Sequence, residues 1–228
     1  MGFRKPVWLF DLDDTLHDAS FAAFGATNTA MTDYIVEHVG VDRAAADVLR
    51  QDYWERYGAT LLGLVRHHGV RAHHFLEQTH RLPGLEERLR TSAHDRAALR
   101  RLPGRKYILT NAPRAYAMRV LDTLRLAAGF DGILCIEDMR MFGHHRPKPD
   151  ARMLRAVAAR LKVPPSRCVL VEDTLQHQRS ARGLGMRTVW MQRYLRRAKS
   201  GTEVARHGCL KPPYVCARIR SLRMLYRL

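Results

Sequence analysis

A short acidic segment near the start of the chain combines residue types that can do chemistry. The stretch FDLDDTLHD (residues 10–18) places Asp11 and Asp13 directly after the apolar run VWLF, and Asp14 and Asp18 follow closely. Alternate side chains of an extended segment point to the same side, so the carboxylates of Asp11 and Asp13 are expected to share one face. Paired carboxylates can bind a cation, exchange protons or attack an electrophile. Asp14 and Asp18 are predicted to be turn or helix-cap residues.

Other polar groups lie near predicted strand ends farther along the chain. They are Thr110 and Asn111 at the end of KYILTN, Lys148 in RPKPD, and Glu172 with Asp173 at the end of CVLVED. Each pattern by itself is also typical of an ordinary loop start, a stiff linker or a helix start. Their chemical meaning therefore depends on whether the fold brings them together.

The apolar runs themselves predict strands that alternate with helices. The runs are KPVWLF (5–10), KYILTN (106–111), GILCIED (132–138), CVLVED (168–173) and TVWMQ (188–192), and YVCARIRSLRML (214–225) predicts a last strand and a short helix. A helix is predicted over 113–129, ending at Gly129. This alternation is typical of a doubly wound parallel sheet, a Rossmann-like α/β fold. In such sheets ligands bind beyond the carboxyl ends of the strands, where these polar groups are predicted to lie.

One segment interrupts the alternation. Residues 19–82 show successive helix patterns and no strand pattern, with Gly40, Gly58 and Gly69 as helix stops and Asp42 as an N-cap. We therefore predict an inserted helical domain at 19–82, a cap on a discontinuous α/β core formed by 1–18 and 83–228.

Composition narrows the class of protein. The chain has 228 residues and is 46% hydrophobic, which favours a globular protein with a real core. It carries 39 Lys and Arg residues against 22 Asp and Glu residues, a net charge of +17. Such a charge suits nucleic acid or phosphorylated partners, but the basic residues are scattered rather than interleaved with stacking aromatics. A solvated basic surface is the preferred interpretation, with a nucleic-acid-binding protein as the alternative.

The remaining sequence signals favour a soluble cytoplasmic protein without a membrane partner. No apolar run reaches the roughly 18 residues that span a bilayer. The four cysteines lack metal-site or disulfide spacing, and His207, Cys209 and Cys216 are too loosely spaced to predict a metal centre.

Taken in order, and with an insertion between the first and second, the four polar sites resemble the motifs of the haloacid dehalogenase superfamily of phosphohydrolases. The resemblance implies that Asp11 is the nucleophile and that Asp13 is the general acid and base. It implies a Mg²⁺ site made by the Asp11 carboxylate, the Asp13 backbone carbonyl and Asp173, with Glu172 acting through a bound water. Dehalogenases of the superfamily lack an acid/base aspartate at the second position, so Asp13 favours phosphate esters as substrates.

The same resemblance assigns the other two motifs. Thr110 and the Asn111 backbone N–H are implied to bind the transferring phosphoryl oxygens. Lys148 is implied to offset the charge of nucleophile and phosphate. His177 stands where another subgroup places a carboxylate, and we predict it to be a surface residue.

Longer stretches, among them YWERYGATLLGLVRHHG and LVEDTLQHQRSARGLGM, resemble bacterial proteins of the pyrimidine 5′-nucleotidase-like group. This implies phosphate release from nucleoside monophosphates beneath a mobile cap. Alternatives within the fold are a sugar phosphate or phosphoglycolate phosphatase and a phosphomutase. Tyr53, Trp54 and Tyr57 could stack on a base, although the spacing of Tyr53 and Tyr57 also suits core packing. The backbone at Gly58 and Gly63 is the better candidate for approaching a ligand. Oligomeric state is not predicted.

Overall fold

A parallel sheet organises the computed structural model, which describes residues 5–195 and 211–227. Its spatial order is β3-β2-β1-β6-β7-β8, and a separate antiparallel pair is formed by β4 and β5. The strands are β1 (Val7–Phe10), β2 (Arg105–Leu109), β3 (Gly132–Leu134), β4 (Arg140–Met141), β5 (His144–His145), β6 (Cys168–Glu172), β7 (Arg187–Met191) and β8 (Ala217–Ile219). The predicted doubly wound α/β fold is confirmed, including the last strand.

Helices lie between the strands and cover both faces of the sheet. They are α1 (Ala19–Ala22), α2 (Phe24–Val39), α3 (Arg43–Tyr57), α4 (Thr60–His68), α5 (Ala72–Thr79), α6 (Leu85–Arg88), α7 (Ala93–Arg101), α8 (Arg114–Thr123), α9 (Ala151–Arg160) and α10 (Leu175–Gly183). Residues Leu222–Arg227 form a 3₁₀ helix after β8. In the described parts of the chain no helix is long and apolar enough to cross a membrane.

The central strand β1 contributes to two hydrophobic cores. Its Trp8 and Phe10 side chains pack with α6, α7 and α8, whereas Val7 and Leu9 pack with α9 and α10. All four residues of β1 are buried. Burial on both faces explains why the strand reads as a continuous apolar run rather than an alternating one.

The helices α2 to α5 build a core of their own, and we call α1 to α5 the helical segment. Tyr34, Ile35, Leu64 and Phe75 are among its buried side chains, joined by Ile136 from the sheet region. The predicted helix stops are confirmed, since Gly40, Gly58 and Gly69 end α2, α3 and α4 in the left-handed conformation. The predicted cap is confirmed as well, because the Asp42 side chain accepts from the Ala45 N–H at 2.8 Å. The domain boundaries at 18/19 and 82/83 stay a prediction.

Two predicted elements end earlier than expected. The strand predicted over 132–138 stops at Leu134, because the Asp138 carboxylate accepts from the Cys135 N–H at 2.9 Å and closes a 3₁₀ turn. The helix predicted over 113–129 stops at Thr123, where Arg125 turns left-handed with φ of 54°. The residues His207 and Cys209 lie outside the described ranges.

Candidate active site

Three neighbouring strands bring the polar groups to one edge of the sheet. β1 pairs in parallel with β2 and with β6, so that Phe10 lies opposite both Ile108 and Val171. The Asp11 N–H continues this pairing by donating to the Val171 carbonyl at 2.9 Å. The side chains of Asp11, Thr110 and Glu172 therefore start from adjacent strand ends.

Lys148 connects two of these strand ends. Its Nζ donates to Asp11 Oδ1 at 2.6 Å and to Glu172 Oε2 at 2.7 Å. The Lys148 and Glu172 side chains are 1% and 0% exposed, so the three charges interact in a medium of low polarity. Burial opposes a charge on Glu172, but Lys148 and His177 together outweigh it and hold the pKa of that carboxyl well below its usual value. The lysine is thus a fixed positive charge against the predicted nucleophile.

The pKa of Asp11 shifts in the opposite direction to that of Glu172. Burial, reinforced by the negative charge of Glu172, raises the pKa of the Asp11 carboxyl well above its usual value, and Lys148 only partly offsets the rise. A cation placed against Asp11 would reverse this rise, because opposite charge favours the ionised form.

The loop that carries Lys148 is held by the second predicted motif. The Asn111 side chain accepts from the Lys148 N–H and donates to the Lys148 carbonyl, both at 2.9 Å. Thr110 Oγ1, which is buried, accepts from the Ala112 N–H at 3.0 Å. The Asn111 side chain therefore positions Lys148, a role that sequence reasoning did not predict. Binding of phosphoryl oxygens by Thr110 and by the Asn111 N–H stays a prediction.

The helical segment approaches the same loop at Gly58. A methyl group on Gly58 would lie 2.9 Å from Pro149 Cδ and 3.5 Å from the Lys148 carbonyl oxygen. Close approach and the left-handed φ of 78° both require glycine here. In the structure Gly58 packs on Pro149 and Gly63 packs on the Tyr53 ring; approach of either backbone to a ligand stays a prediction.

The aromatic residues of α3 divide between core and surface. Tyr53 is buried in the core of the helical segment, and its hydroxyl pairs with His68 at 2.8 Å. The Tyr57 hydroxyl pairs with His67 at 2.7 Å, while Trp54 is 60% exposed. The core-packing alternative therefore describes Tyr53, as its helical spacing allowed.

Glu172 is enclosed by polar groups from the start of α10. Its Oε1 accepts from the Thr174 N–H at 3.1 Å, and His177 Nδ1 lies 3.1 Å from Oε2. The prediction of a surface position for His177 is wrong, since its side chain is 13% exposed and faces Glu172. The error arose because the first turns of α10 fold back over the end of β6. Gln178 completes the enclosure by donating to the Glu172 carbonyl at 2.7 Å.

A cluster of carboxylates beside Lys148 could hold a metal ion. Oxygen atoms of Asp11, Glu172 and Asp173 all lie within 4.8 Å of one another. Asp173 is held by the indole of Trp190, which donates to its carbonyl at 2.7 Å. Burial, and then the charges of Glu172 and Asp11, raise the pKa of the Asp173 carboxyl well above its usual value. Crowded hard oxygen donors of like charge fit a hard divalent cation such as Mg²⁺.

Asp13 is bound by two residues that sequence reasoning missed. Its Oδ1 accepts from the Tyr116 hydroxyl at 2.7 Å and lies 3.0 Å from His17 Nε2. Burial opposes ionisation, but His17 and Tyr116 together lower the pKa of the Asp13 carboxyl. The position of His17 four residues after Asp13 was the available signal. Tyr116 lies 103 residues away in sequence and no local pattern relates the two.

The other two aspartates of the acidic segment have local structural roles. Asp14, with φ of 51°, accepts from the N–H and hydroxyl of Ser20. Asp18 is the N-cap of α1 and accepts from the Phe21 N–H at 3.2 Å. The prediction that both are turn or cap residues is confirmed.

Comparison with known proteins places this site in context. A family model described as haloacid dehalogenase-like hydrolase matches residues 7–185. Phosphate metabolism protein 8 of Saccharomyces cerevisiae is 24% identical over 195 residues, which make up 80% of this chain and 60% of that protein. The chain thus spans less than two thirds of the length of this curated relative.

Solved structures share the fold at low sequence identity. A HAD phosphatase from Thermococcus onnurineus matches with a TM-score of 0.62 and 20% identity over 98% of this chain and 97% of its own. CbbY from Rhodobacter sphaeroides, solved with phosphate, matches with a TM-score of 0.63 and 19% identity over 97% and 96%. An L-2-haloacid dehalogenase from Xanthobacter autotrophicus, with chloropropionic acid covalently bound, matches with a TM-score of 0.58 and 17% identity over 99% and 98%. These likenesses extend over the whole architecture.

Proposed function

The chain belongs to the haloacid dehalogenase-like hydrolases, and on that premise we propose that it is a Mg²⁺-dependent phosphomonoester hydrolase acting on nucleoside monophosphates, as a pyrimidine 5′-nucleotidase. The observation that carries the proposal is the placement of Lys148 Nζ at 2.6 Å from Asp11 Oδ1, beside three crowded carboxylates. A carboxylate can attack a dianionic phosphate only where positive charge neutralises the pair.

The reaction follows from the roles that the geometry allows. Asp11 attacks phosphorus and forms an aspartyl-phosphate, while Asp13 gives a proton to the departing oxygen. Asp13 then takes a proton from the water that hydrolyses the intermediate. Lys148 holds the Asp11 carboxylate in place throughout, and its own position is secured by the Asn111 side chain. Thr110 and the Asn111 N–H bind the phosphoryl oxygens.

The donor set also fits the proposed metal. The carboxylates of Asp11 and Asp173 and the Asp13 carbonyl would hold Mg²⁺, with Glu172 reaching it through water. When bound, the ion supplies positive charge against the dianionic phosphate. Glu172 has a second task that needs no metal, because it pairs with Lys148 at 2.7 Å and so helps to hold the lysine beside Asp11.

The identity of the second aspartate favours phosphate esters over haloacids. A departing alkoxide needs a proton, whereas a departing halide does not. Asp13 is positioned by two partners rather than left as a free surface carboxylate. The fold itself accommodates both chemistries, since a phosphatase and a dehalogenase share it with this chain.

The helical segment is proposed to be the cap that selects the substrate. Its Gly58 packs on Pro149, next to Lys148, so movement of the segment would reach the catalytic loop directly. A nucleoside monophosphate is the favoured substrate on the sequence resemblance. A sugar phosphate or phosphoglycolate remains the second candidate, because caps change while the core motifs stay the same.

A substrate screen tests the proposal. The purified protein is assayed with Mg²⁺ for phosphate release from nucleoside monophosphates, sugar phosphates and phosphoglycolate, beside Asp11→Asn and the matched control Asp14→Asn. We expect nucleoside monophosphates to be hydrolysed, Asp11→Asn to be inactive and Asp14→Asn to be active, because Asp14 bonds Ser20 rather than substrate. Turnover of sugar phosphates alone would overturn the nucleotidase assignment. Activity in Asp11→Asn equal to that of the wild type would overturn the mechanism.

A further inference from the structure

We propose that Tyr116 and His17 are positioning residues which together occupy Oδ1 of Asp13 and thereby confine its exchangeable proton to Oδ2. The inference rests on the proposed function, in which Asp13 exchanges protons with the leaving group and with water. It concerns which of the two carboxyl oxygens performs that exchange.

Both partners approach the same oxygen atom. The Tyr116 hydroxyl lies 2.7 Å and His17 Nε2 lies 3.0 Å from Asp13 Oδ1. Among the described residues, none donates a hydrogen bond to Oδ2. A phenol facing an ionised carboxylate must donate, because the carboxylate has only acceptor sites. The Tyr116 hydroxyl and His17 Nε2 also lie 3.5 Å from each other, so the two donors approach Oδ1 side by side and leave Oδ2 open.

The tautomer of His17 follows from its surroundings. The side chain is 0% exposed, and its Nδ1 has no hydrogen-bond partner among the described residues. A proton on Nδ1 would bury an unsatisfied donor and would leave a lone pair of Nε2 facing the lone pairs of Asp13 Oδ1. Neutral imidazole with the proton on Nε2 avoids both costs, so His17 is assigned as a donor to Asp13.

Neighbouring packing fixes the direction of both donors. His17 follows Asp13 in the same short segment, while Tyr116 comes from α8, far away in the sequence. The His80 ring at the end of α5 packs edge-on against the Tyr116 ring, with 5.7 Å between centroids. Both donors are buried, and their restrained rotamers keep the two bonds in place, so that they restrict the Asp13 carboxyl to one orientation.

In the proposed reaction Asp13 exchanges protons through Oδ2 alone. The bond between Asp11 oxygen and phosphorus forms while the bond from phosphorus to the leaving oxygen breaks, and the proton passes from Asp13 Oδ2 to that oxygen. The new charge on Asp13 is stabilised by both donors on Oδ1. Water then attacks phosphorus, its proton returns to Oδ2, and the bond from phosphorus to Asp11 breaks.

Dependence on the leaving group is the kinetic test. Proton donation matters for a sugar alkoxide and matters little for p-nitrophenolate, which leaves unaided. For Tyr116→Phe we expect kcat to fall about tenfold with the best nucleoside monophosphate and less than about threefold with p-nitrophenyl phosphate. The tenfold loss is part of the roughly 10²–10⁴-fold rate acceleration that general acid catalysis contributes. Tyr34→Phe is the matched control, since it removes a hydroxyl bonded to His74 at 2.9 Å within the helical segment. The control should leave the ratio of the two rates unchanged.

Equal losses with both substrates, or no loss with either, would overturn the inference. His17→Gln tests the second donor, because the glutamine Nε2 can replace the imidazole N–H and should preserve the ratio of rates. His17→Ala should shift the ratio in the same direction as Tyr116→Phe.

A spectroscopic test is independent of turnover. Nitrogen-15 NMR of the wild-type protein distinguishes the two imidazole tautomers, and the His17→Gln variant identifies the His17 signals among twelve histidines. We expect His17 to carry its proton on Nε2, whereas a proton on Nδ1 would overturn the inference. If no phosphate ester is hydrolysed, the proposed function fails, and the tautomer measurement still decides how Asp13 Oδ1 is held.

Discussion

Replacing Asp173 by asparagine should stabilise the metal-free protein. Oxygens of Asp11, Glu172 and Asp173 lie within 4.8 Å of one another, and two unit charges at that distance repel by about 3.5 kcal/mol at an effective dielectric constant of about 20. Lys148 offsets part of this repulsion through its bonds to Asp11 and Glu172. We therefore expect the free energy of unfolding to rise by about 1–2 kcal/mol in Asp173→Asn.

The pH dependence of this effect has a defined sign. Burial and then the charge of Glu172 raise the pKa of Asp173 in the folded protein, so folding favours the protonated carboxyl. The wild type therefore loses stability as pH rises from the ordinary aspartate pKa toward the raised folded one. The advantage of Asp173→Asn should be full at high pH and should vanish in acid, where the carboxyl is protonated in both states.

Mg²⁺ should reverse the order of stability. At a concentration of 100 times its Kd the ion stabilises the folded wild type by about 2.7 kcal/mol, which corresponds to a Tm increase of roughly 5–11 °C for a chain of this size. Asp173→Asn should lose most of this increase, because one predicted ligand is gone.

Thermal unfolding followed by circular dichroism, in EDTA and across a Mg²⁺ series, measures both effects. Asp122→Asn is the control, because it removes one exposed carboxylate from α8, away from the cluster. It should change neither the metal-free Tm nor the Mg²⁺ response. A metal-free Asp173→Asn that is less stable than the wild type, or one with an undiminished response to Mg²⁺, would refute the electrostatic reasoning.

Two further predictions concern the helical segment. Gly58→Ala should cost roughly 1–3 kcal/mol of stability and reduce kcat, since the new methyl group meets Pro149 beside Lys148. Gly40→Ala is the matched control, because Gly40 has a similar φ of 80° but open space around it. It should cost about 1 kcal/mol of stability and leave kcat unchanged. Urea unfolding and steady-state kinetics check both, and equal kinetic effects would contradict the contact. Burial lowers the pKa of His80 to about 4. The unfolded side chain titrates near 6.5, so the unfolded state binds the proton more readily. As the pH falls from roughly 6.5 to 4, the free energy of unfolding should therefore decrease by about 1.4 kcal/mol per pH unit. Urea unfolding at several pH values in this range should show a weaker pH dependence of the free energy of unfolding for His80→Gln than for the wild type. An unchanged dependence would count against a buried neutral His80.

Local sequence rules predicted much of the architecture. Gly40, Gly58 and Gly69 end helices because a left-handed residue stops the i to i−4 ladder with little strain in glycine. The Asp42 cap, the buried β1 run and the local roles of Asp14 and Asp18 follow equally from interactions within a few residues. Where a boundary depended on a side chain closing a turn, as Asp138 does after β3, periodicity alone was insufficient.

By itself, the sequence determined which polar groups follow the apolar strands, and parallel pairing of β1, β2 and β6 was enough to predict that they meet at one edge. Only the tertiary structure decided which atoms bond. Lys148 and Asp11 are separated by 137 residues, and Tyr116 and Asp13 by 103. His177 likewise faces Glu172 because of how α10 returns over β6. Such contacts depend on the path of loops and crossovers, and hydrophobic periodicity encodes the face of an element but not the atom that a distant side chain will reach.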